Sequence, residues 1–121
     1  MATALWIAAG GAIGTLARFG LSGLINDYSH PWGTVTVNVV GSLALGILAG
    51  LWGVGHVGDQ QLALTVGLLG GFTTFSTFAL DTLRLWEEGQ GALALVNVVV
   101  SVVFGLAAAI GGLAIGRAVA S

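Results

Sequence analysis

The sequence contains no cysteine and no lysine, and it has one proline, one methionine and one tyrosine among its 121 residues. The absence of cysteine excludes disulfide bonds, thiol catalysis and cysteine metal sites. Charged residues make up 7% of the chain, whereas about a quarter of a typical soluble domain is charged. Such a chain could not cover a water-facing surface. The net charge of −2 gives no basic patch for nucleic acid.

Apolar residues, in contrast, make up 56% of the chain and gather in four long stretches. A transmembrane helix needs about 20 predominantly apolar residues, and the links between these stretches are too short for a soluble domain. We therefore predict an all-α integral membrane protein, with residues 1–121 forming a single four-helix transmembrane domain. The first stretch has no small-residue cleavage site, so we expect a retained helix and not a signal peptide. The predicted helices are 4–25, 32–53, 61–86 and 92–119.

The positive charges favour neither orientation in the membrane. Short loops rich in lysine and arginine stay in the cytoplasm. Here Arg84 and Arg117 fall on opposite sides, and Arg18 lies within the first span. Such a tie is typical of a chain that inserts both ways and forms an antiparallel dimer. Alternatively, the amino terminus or the translocon settles the orientation.

Glycine is abundant, with 21 residues, and many glycines are four residues apart. Small residues at this spacing let helix backbones approach each other in membranes. Because several helices carry such a face, the pattern favours close packing and an oligomer. The pairs are Gly10/Gly14, Gly46/Gly50, Gly67/Gly71 and Gly112/Gly116.

Two spans carry polar pairs at helical spacing. Asn38 follows Thr34 by four residues in the second span, and Ser101 follows Asn97 by four in the fourth. Residues four apart share one helix face. These pairs could form interhelical hydrogen bonds, worth only about 0.6–2 kcal/mol in membranes. Because two helices carry such a pair, the pattern favours a second interpretation. In it, these polar side chains line a path through the membrane, and their amide N–H groups can donate to an anion.

Charged side chains are few within the spans, and no acid lies near the middle of one. Asp81 and Arg84 are three residues apart, so we expect them to pair. Arg18 could extend toward the interface or help hold an anion or a carboxylate. Proton-coupled pumps usually need a mid-span carboxylate, so its absence favours a passive path. His30 and His56 lie in different loops without metal-ligand spacing, and we expect no enzyme.

The segment GGFTTFSTF (70–78) predicts that the third helix is broken near its middle. Each glycine lowers helix stability by about 1 kcal/mol, and threonine hydroxyls compete for backbone hydrogen bonds. In lipid, irregular backbone must be buried in protein or line a cavity, where its carbonyls can hold cations. Phe75 and Phe78 lie on one side of a helical turn. Their positive edges could contact a small anion, although ordinary core packing is the commoner role of phenylalanine.

This segment resembles the third-helix signature of the Fluc/CrcB fluoride channels. GGAIGTLARF (10–19) resembles the family's first-helix glycine-and-arginine motif, and GTVTVNVVGSLALG (33–46) resembles its GTLxxNxxGxxxxG segment. LVNVVVS (95–101) is more loosely similar to the fourth helix. The similarity covers essentially the whole chain, in order.

The resemblance implies a fluoride-selective passive channel in the plasma (inner) membrane, which exports cytoplasmic fluoride and relieves its toxicity. It implies an antiparallel, dual-topology homodimer with two pores. Phe75 and Phe78 would supply aromatic edges along the pores, and Asn38 an amide that faces the anion. The remaining pore positions would be Thr34, Ser76, Thr77, Asn97 and Ser101.

The resemblance also implies a structural Na⁺ at the dimer interface. The backbone carbonyls of Gly70 and Thr73, doubled by the dimer, would enclose it. Arg18 would have a structural or electrostatic role. The implied partners are fluoride, a second copy of the chain and membrane lipid.

Two other functions fit the length of the chain. A small four-helix multidrug transporter would also suit the tied orientation, but its usual first-span carboxylate is missing, since residues 4–25 contain Arg18 and no acid. A structural membrane protein held together by glycine packing would leave the hydroxyl-rich segment 70–78 unexplained.

Overall fold

The computed structural model describes residues 2–25, 30–54 and 58–121. Asp27 and His56, each in a loop between predicted spans, lie outside the described residues. All regular structure in the described part of the chain is helical. The elements are α1 (Ala2–Ile25), α2 (Trp32–Trp52), α3 (Asp59–Leu62), the π-helix π1 (Ala63–Leu69), α4 (Gly70–Phe72), α5 (Phe75–Glu87) and α6 (Gly91–Ala120).

Four helical stretches are long and apolar enough to cross a membrane. Their limits differ from the predicted ones by at most two residues. Pro31 directly precedes α2, where its missing N–H has no intrahelical partner to lose. The prediction of an all-α chain with four spans is confirmed. The stretches are Ala2–Ile25, Trp32–Trp52, Asp59–Glu87 and Gly91–Ala120.

The third stretch combines four helical elements and two extended residues. It passes from α3 through π1 to α4, which ends at Phe72. Thr73 (φ −90°, ψ 158°) and Thr74 (φ −154°, ψ 121°) are extended, and α5 then begins at Phe75. Glycine and β-branched threonine are both weak helix formers, which explains locally why regular structure ends here. A π-helical turn next to such a segment is typical of functional regions of a helix.

The helices pack mainly as two pairs, α1 against π1 and α4, and α2 against α6. Glycine lets both pairs come close: a Cβ on Gly14 would overlap the carbonyl oxygen of Leu68, and one on Gly112 would overlap that of Leu43. All eight glycines of the four predicted pairs approach backbone atoms of the same chain in this way. The glycine faces therefore bring together the helices within each pair of one chain, and they give no support for an oligomer.

Many large apolar side chains point outward. Val37 and Leu85 are fully buried, but Leu24, Phe75 and Phe19 are 85%, 80% and 78% exposed. Soluble monomers rarely expose extended apolar surface, because it costs free energy in water. Lipid or a second chain can cover such a surface. This distribution, together with the four apolar helices, identifies a multi-pass membrane protein.

The predicted pairing of Asp81 and Arg84 is confirmed on α5. Arg84 Nη2 lies 3.8 Å from Asp81 Oδ1, and both side chains are largely covered. Asp81 Oδ2 and Arg84 Nε have no hydrogen bond to other described residues. Each charge therefore depends on the other for compensation within an apolar span.

Candidate functional site

Asn38 of α2 binds the backbone of Thr74 through both ends of its side-chain amide. Its Nδ2 donates to the Thr74 carbonyl oxygen at 2.9 Å, and the Thr74 N–H donates to Asn38 Oδ1 at 2.7 Å. A backbone N–H or carbonyl group left unpaired inside a membrane costs roughly several kcal/mol. The amide supplies a donor and an acceptor together, so the chain can be extended at Thr74 with both groups paired.

This arrangement releases two carbonyl groups from helical hydrogen bonding. In a continuous α-helix the N–H of Thr74 would bond the carbonyl of Gly70, and the N–H of Thr77 would bond that of Thr73. Instead, the Thr74 N–H donates to Asn38, and the Thr77 N–H donates to Thr74 Oγ1 at 3.2 Å. Gly70 and Thr73 therefore lose their helical donors, and these are the two residues whose carbonyls the family resemblance connects with a cation.

Thr74 is also the N-cap of α5. Its Oγ1 accepts from the Thr77 N–H, as N-cap hydroxyls do. The same oxygen lies 3.2 Å from Thr77 Oγ1 and 3.3 Å from Ser76 Oγ. Three hydroxyls thus gather at the N-terminus of α5, where the helix dipole is positive and favours an anion.

Phe75 and Phe78 begin α5 directly after the extended residues. Their ring centroids are 5.5 Å apart with an interplanar angle of 46°, so the rings are tilted and not stacked. Phe75 is exposed in the isolated chain, whereas Phe78 is half-buried. A tilted pair of this kind can direct ring edges toward a common neighbour.

A cavity of about 340 Å³ lies beside the extended residues, and we call it the interhelix cavity. Of the predicted site residues, it brings together Asn38, Phe75, Phe78, Ser101, Gly70 and Thr73. Its lining also includes the hydroxyl residues Ser42, Thr65 and Thr74, which sequence reasoning missed. The available signal for Ser42 was its position four residues after Asn38, on the same face of α2.

Five predicted site residues are not in the lining of the interhelix cavity: Thr34, Ser76, Thr77, Asn97 and Arg18. Thr34 is 3% exposed, within the first turns of α2. Ser76 and Thr77 instead belong to the hydroxyl group at the start of α5.

Asn97 forms an interhelical hydrogen bond in this chain. It is 1% exposed, and its Nδ2 donates to Thr82 Oγ1 at 2.9 Å. Thr82 Oγ1 in turn donates to the carbonyl oxygen of Phe78 at 2.8 Å, and Ser101 Oγ donates to Asn97 Oδ1 at 3.4 Å. A chain of hydrogen bonds thus runs from α6 to the backbone of Phe78. Thr82 was not singled out from the sequence, and its place one turn after Phe78 was the only signal.

Arg18 of α1 forms a hydrogen bond with α4, the short helix that precedes the extended residues. Its Nε donates to the carbonyl oxygen of Gly71 at 3.1 Å, and Ser22 Oγ donates to the Arg18 carbonyl. Gly71 lies one residue before the end of α4, where carbonyls lack intrahelical donors. The guanidinium supplies one of those missing donors, and its positive charge suits the negative end of a helical turn.

Four apolar helices with a partly polar cavity between them define a small multi-pass membrane protein. The family model described as "CrcB-like protein, Camphor Resistance (CrcB)" matches residues 5–113. The chain belongs to this CrcB family.

Its curated relatives carry one recurring name. The chain is 52% identical over 119 residues to the "Fluoride-specific ion channel FluC" of Paracoccus denitrificans, covering 95% of this chain and 94% of that protein. It is 50% identical over 109 residues to the protein of the same name from Rhodospirillum rubrum, covering 84% of each. "Fluoride-specific ion channel FluC 2" of Haloarcula marismortui is 50% identical over 93 residues, covering 77% of this chain and 76% of that protein.

Proposed function

We propose that this chain is a passive, fluoride-selective channel that lets cytoplasmic fluoride leave the cell across the plasma membrane, and that it is not an enzyme. The observation that carries the proposal is the grouping of Phe75, Phe78 and Asn38 around one cavity within a membrane span. The names of the relatives support fluoride as the ion.

The cavity can bind an anion without a fixed positive charge. Phenyl edges carry positive quadrupole density, and hydroxyl and amide hydrogens are donors of moderate strength. Asn38 uses one Nδ2 hydrogen on Thr74. In this proposal, the second Nδ2 hydrogen of Asn38 donates to the anion. A permeating ion must be bound well enough to enter and weakly enough to leave, which suits donors of this kind.

The conducting unit in this proposal is an antiparallel homodimer with two pores. The exposed ring of Phe75 supports it, since a second chain would cover that ring and complete the wall of the cavity. Thr34, Ser76 and Thr77 then form a hydroxyl-rich vestibule, with Asn97 and Ser101 contributing from α6. The extended residues Thr73 and Thr74 interrupt the third transmembrane helix at this point.

A structural Na⁺ fits the two carbonyls that have lost their helical donors. Hard cations prefer oxygen ligands, and opened helices in transporters offer carbonyls to Na⁺. Gly70 and Thr73 supply two such oxygens in one chain, and two copies would supply four. When bound, the ion would compensate the partial negative charges of the carbonyl oxygens and hold the two chains together. Arg18 holds the neighbouring Gly71 carbonyl separately.

Ion efflux from liposomes tests the function. The purified protein is reconstituted into liposomes loaded with potassium fluoride, and an ionophore selective for potassium is added to remove the charge limit. Fluoride should then appear outside, as measured with a fluoride electrode. Chloride-loaded liposomes and protein-free liposomes are the controls. Equal chloride efflux, or no fluoride efflux from folded protein, would contradict the proposal.

The dual orientation has its own test, because the chain contains no cysteine. A single Ser121→Cys variant places a thiol at the exposed C-terminus. In spheroplasts, a membrane-impermeant maleimide should label about half of the molecules before permeabilisation if insertion follows the arginine tie. Complete labelling or complete protection would show a single orientation.

A further inference from the structure

Gly41 of α2 faces the extended pair from one turn beyond Asn38. It is buried, and a Cβ added there would overlap the Cγ2 methyl of Thr73. The same Cβ would lie 3.3 Å from Phe72 Cδ2, at the end of α4. The closest atom to this Cβ belongs to a side chain, whereas glycines of the α1 and α6 contacts, such as Gly14 and Gly112, meet backbone.

The methyl of Thr73 is fixed in this position from two sides. Thr73 Oγ1 donates to the Leu69 carbonyl oxygen at 2.9 Å, so rotation about χ1 would break that hydrogen bond. Displacement of the backbone would pull Thr74 away from Asn38, to which it makes bonds of 2.7 and 2.9 Å. The methyl therefore has no inexpensive way to avoid a larger residue at position 41.

We propose that Gly41 is a positioning residue of the channel. Its missing side chain forms a socket for the Thr73 methyl, and the Asn38 amide one turn earlier holds Thr74. Together these two contacts set the register of the extended pair against α2. This register decides where α5 begins, and with it the position of Phe75 and the Thr74 cap. The link to fluoride conduction rests on the proposed function, whereas the packing argument does not.

The socket predicts a specific steric complementation. Gly41→Ala places a methyl against Thr73 Cγ2, and overpacking of this kind shifts side chains and backbone, so fluoride efflux should fall about tenfold. Thr73→Ser removes that methyl and keeps the hydroxyl that bonds Leu69. The Gly41→Ala/Thr73→Ser double variant should therefore recover much of the efflux that Gly41→Ala loses. Gly111→Ala is the matched control, because no atom lies within 4 Å of its added Cβ.

Hydrogen exchange supplies a second measurement that needs no fluoride. The Thr74 N–H is protected by Asn38 Oδ1. In Gly41→Ala this amide should exchange about tenfold faster, as expected for a local loss near 1.4 kcal/mol, and the double variant should restore its protection. If the parent protein releases no fluoride, the proposed function fails, and exchange at Thr74 still decides the role of Gly41.

Parental efflux and parental Thr74 exchange in Gly41→Ala would overturn the proposal. A double variant whose efflux and Thr74 exchange are no closer to the parent than those of Gly41→Ala would also overturn it. If Gly41→Ala gives no folded protein, recovery of folded yield in the double variant supports the socket, and no recovery contradicts it.

Discussion

Arg18 and Gly71 are 53 residues apart in sequence, and the Arg18 Nε donates to the Gly71 carbonyl oxygen at 3.1 Å. The bond joins α1 to the last turn before the extended residues. Asn38 joins α2 to Thr74, the second of the extended residues. Side chains of two helices therefore pair the Gly71 carbonyl and both backbone groups of Thr74 in place of helical hydrogen bonds. Both anchors lie between helices apolar enough to cross a membrane, where an unpaired backbone group is costly.

Replacing Arg18 should weaken the fold more than it changes ion selectivity. Arg18→Gln removes a charged donor from the Gly71 carbonyl, and hydrogen bonds to charged groups contribute about 1.5–3 kcal/mol. Since Arg18 is only partly buried, we expect a loss of about 1 kcal/mol in the free energy of unfolding, measured by denaturant titration in detergent. Arg117→Gln, at the exposed end of α6, is the matched control. Equal stability of Arg18→Gln and the parent would contradict the anchoring role.

Two substitutions at Asn38 separate its two proposed roles. Asn38→Asp keeps an acceptor for the Thr74 N–H but places a negative charge at the cavity. Charge repulsion at about 4 Å is worth several kcal/mol at an effective dielectric near 20, so fluoride efflux should fall at least about a hundredfold. Asn38→Leu removes the acceptor as well, so both efflux and the protection of the Thr74 amide from hydrogen exchange should be lost. Both variants are therefore measured by fluoride efflux and by hydrogen exchange at the Thr74 amide. An Asn38→Asp variant with parental efflux would exclude Asn38 from the anion path.

The sequence predicts the four spans well, because length and apolar content alone determine whether a helix can cross a membrane. It also indicates where regular structure is weakest, since Gly70, Gly71 and the adjacent threonines oppose helix locally. The extended residues Thr73 and Thr74 lie within this segment. These features depend on neighbouring residues in the chain.

Partners that are distant in sequence were not predictable in this way. Helical spacing shows that Asn38 and Asn97 each lie on a polar face, but the docking of the helices decides what that face meets. Asn38 meets the backbone of Thr74, 36 residues away, and Asn97 meets Thr82 across the α5–α6 contact. The glycine pairs show the same limit, because spacing predicts close packing but does not distinguish packing within a chain from packing between chains.

The hydrogen bond between Asn97 and Thr82 can be measured as a coupling energy. Asn97→Ala and Thr82→Val each remove one partner, and the double variant completes a mutant cycle in the free energy of unfolding. Interhelical hydrogen bonds in membranes average about 0.6 kcal/mol, so we expect coupling of about 0.5–1.5 kcal/mol. Ser121→Ala, at the exposed C-terminus, serves as the unrelated partner for a control cycle with Asn97. Coupling near zero between Asn97 and Thr82 would show that the contact adds no stability.

Substitution of the two phenylalanines tests the aromatic part of the cavity. Phe75→Ile and Phe78→Ile remove the ring edges but keep an apolar side chain, so the proposed dimer should persist while fluoride efflux falls. Because favourable aromatic contacts are worth about 0.5–1.5 kcal/mol, the loss should be about threefold to tenfold per ring. Phe104→Ile is the matched control, since Phe104 is an exposed residue of α6 that does not line the cavity. Efflux is measured from liposomes and dimer content by size-exclusion chromatography. Parental efflux in both cavity variants would show that the ring edges do not contact the permeating ion.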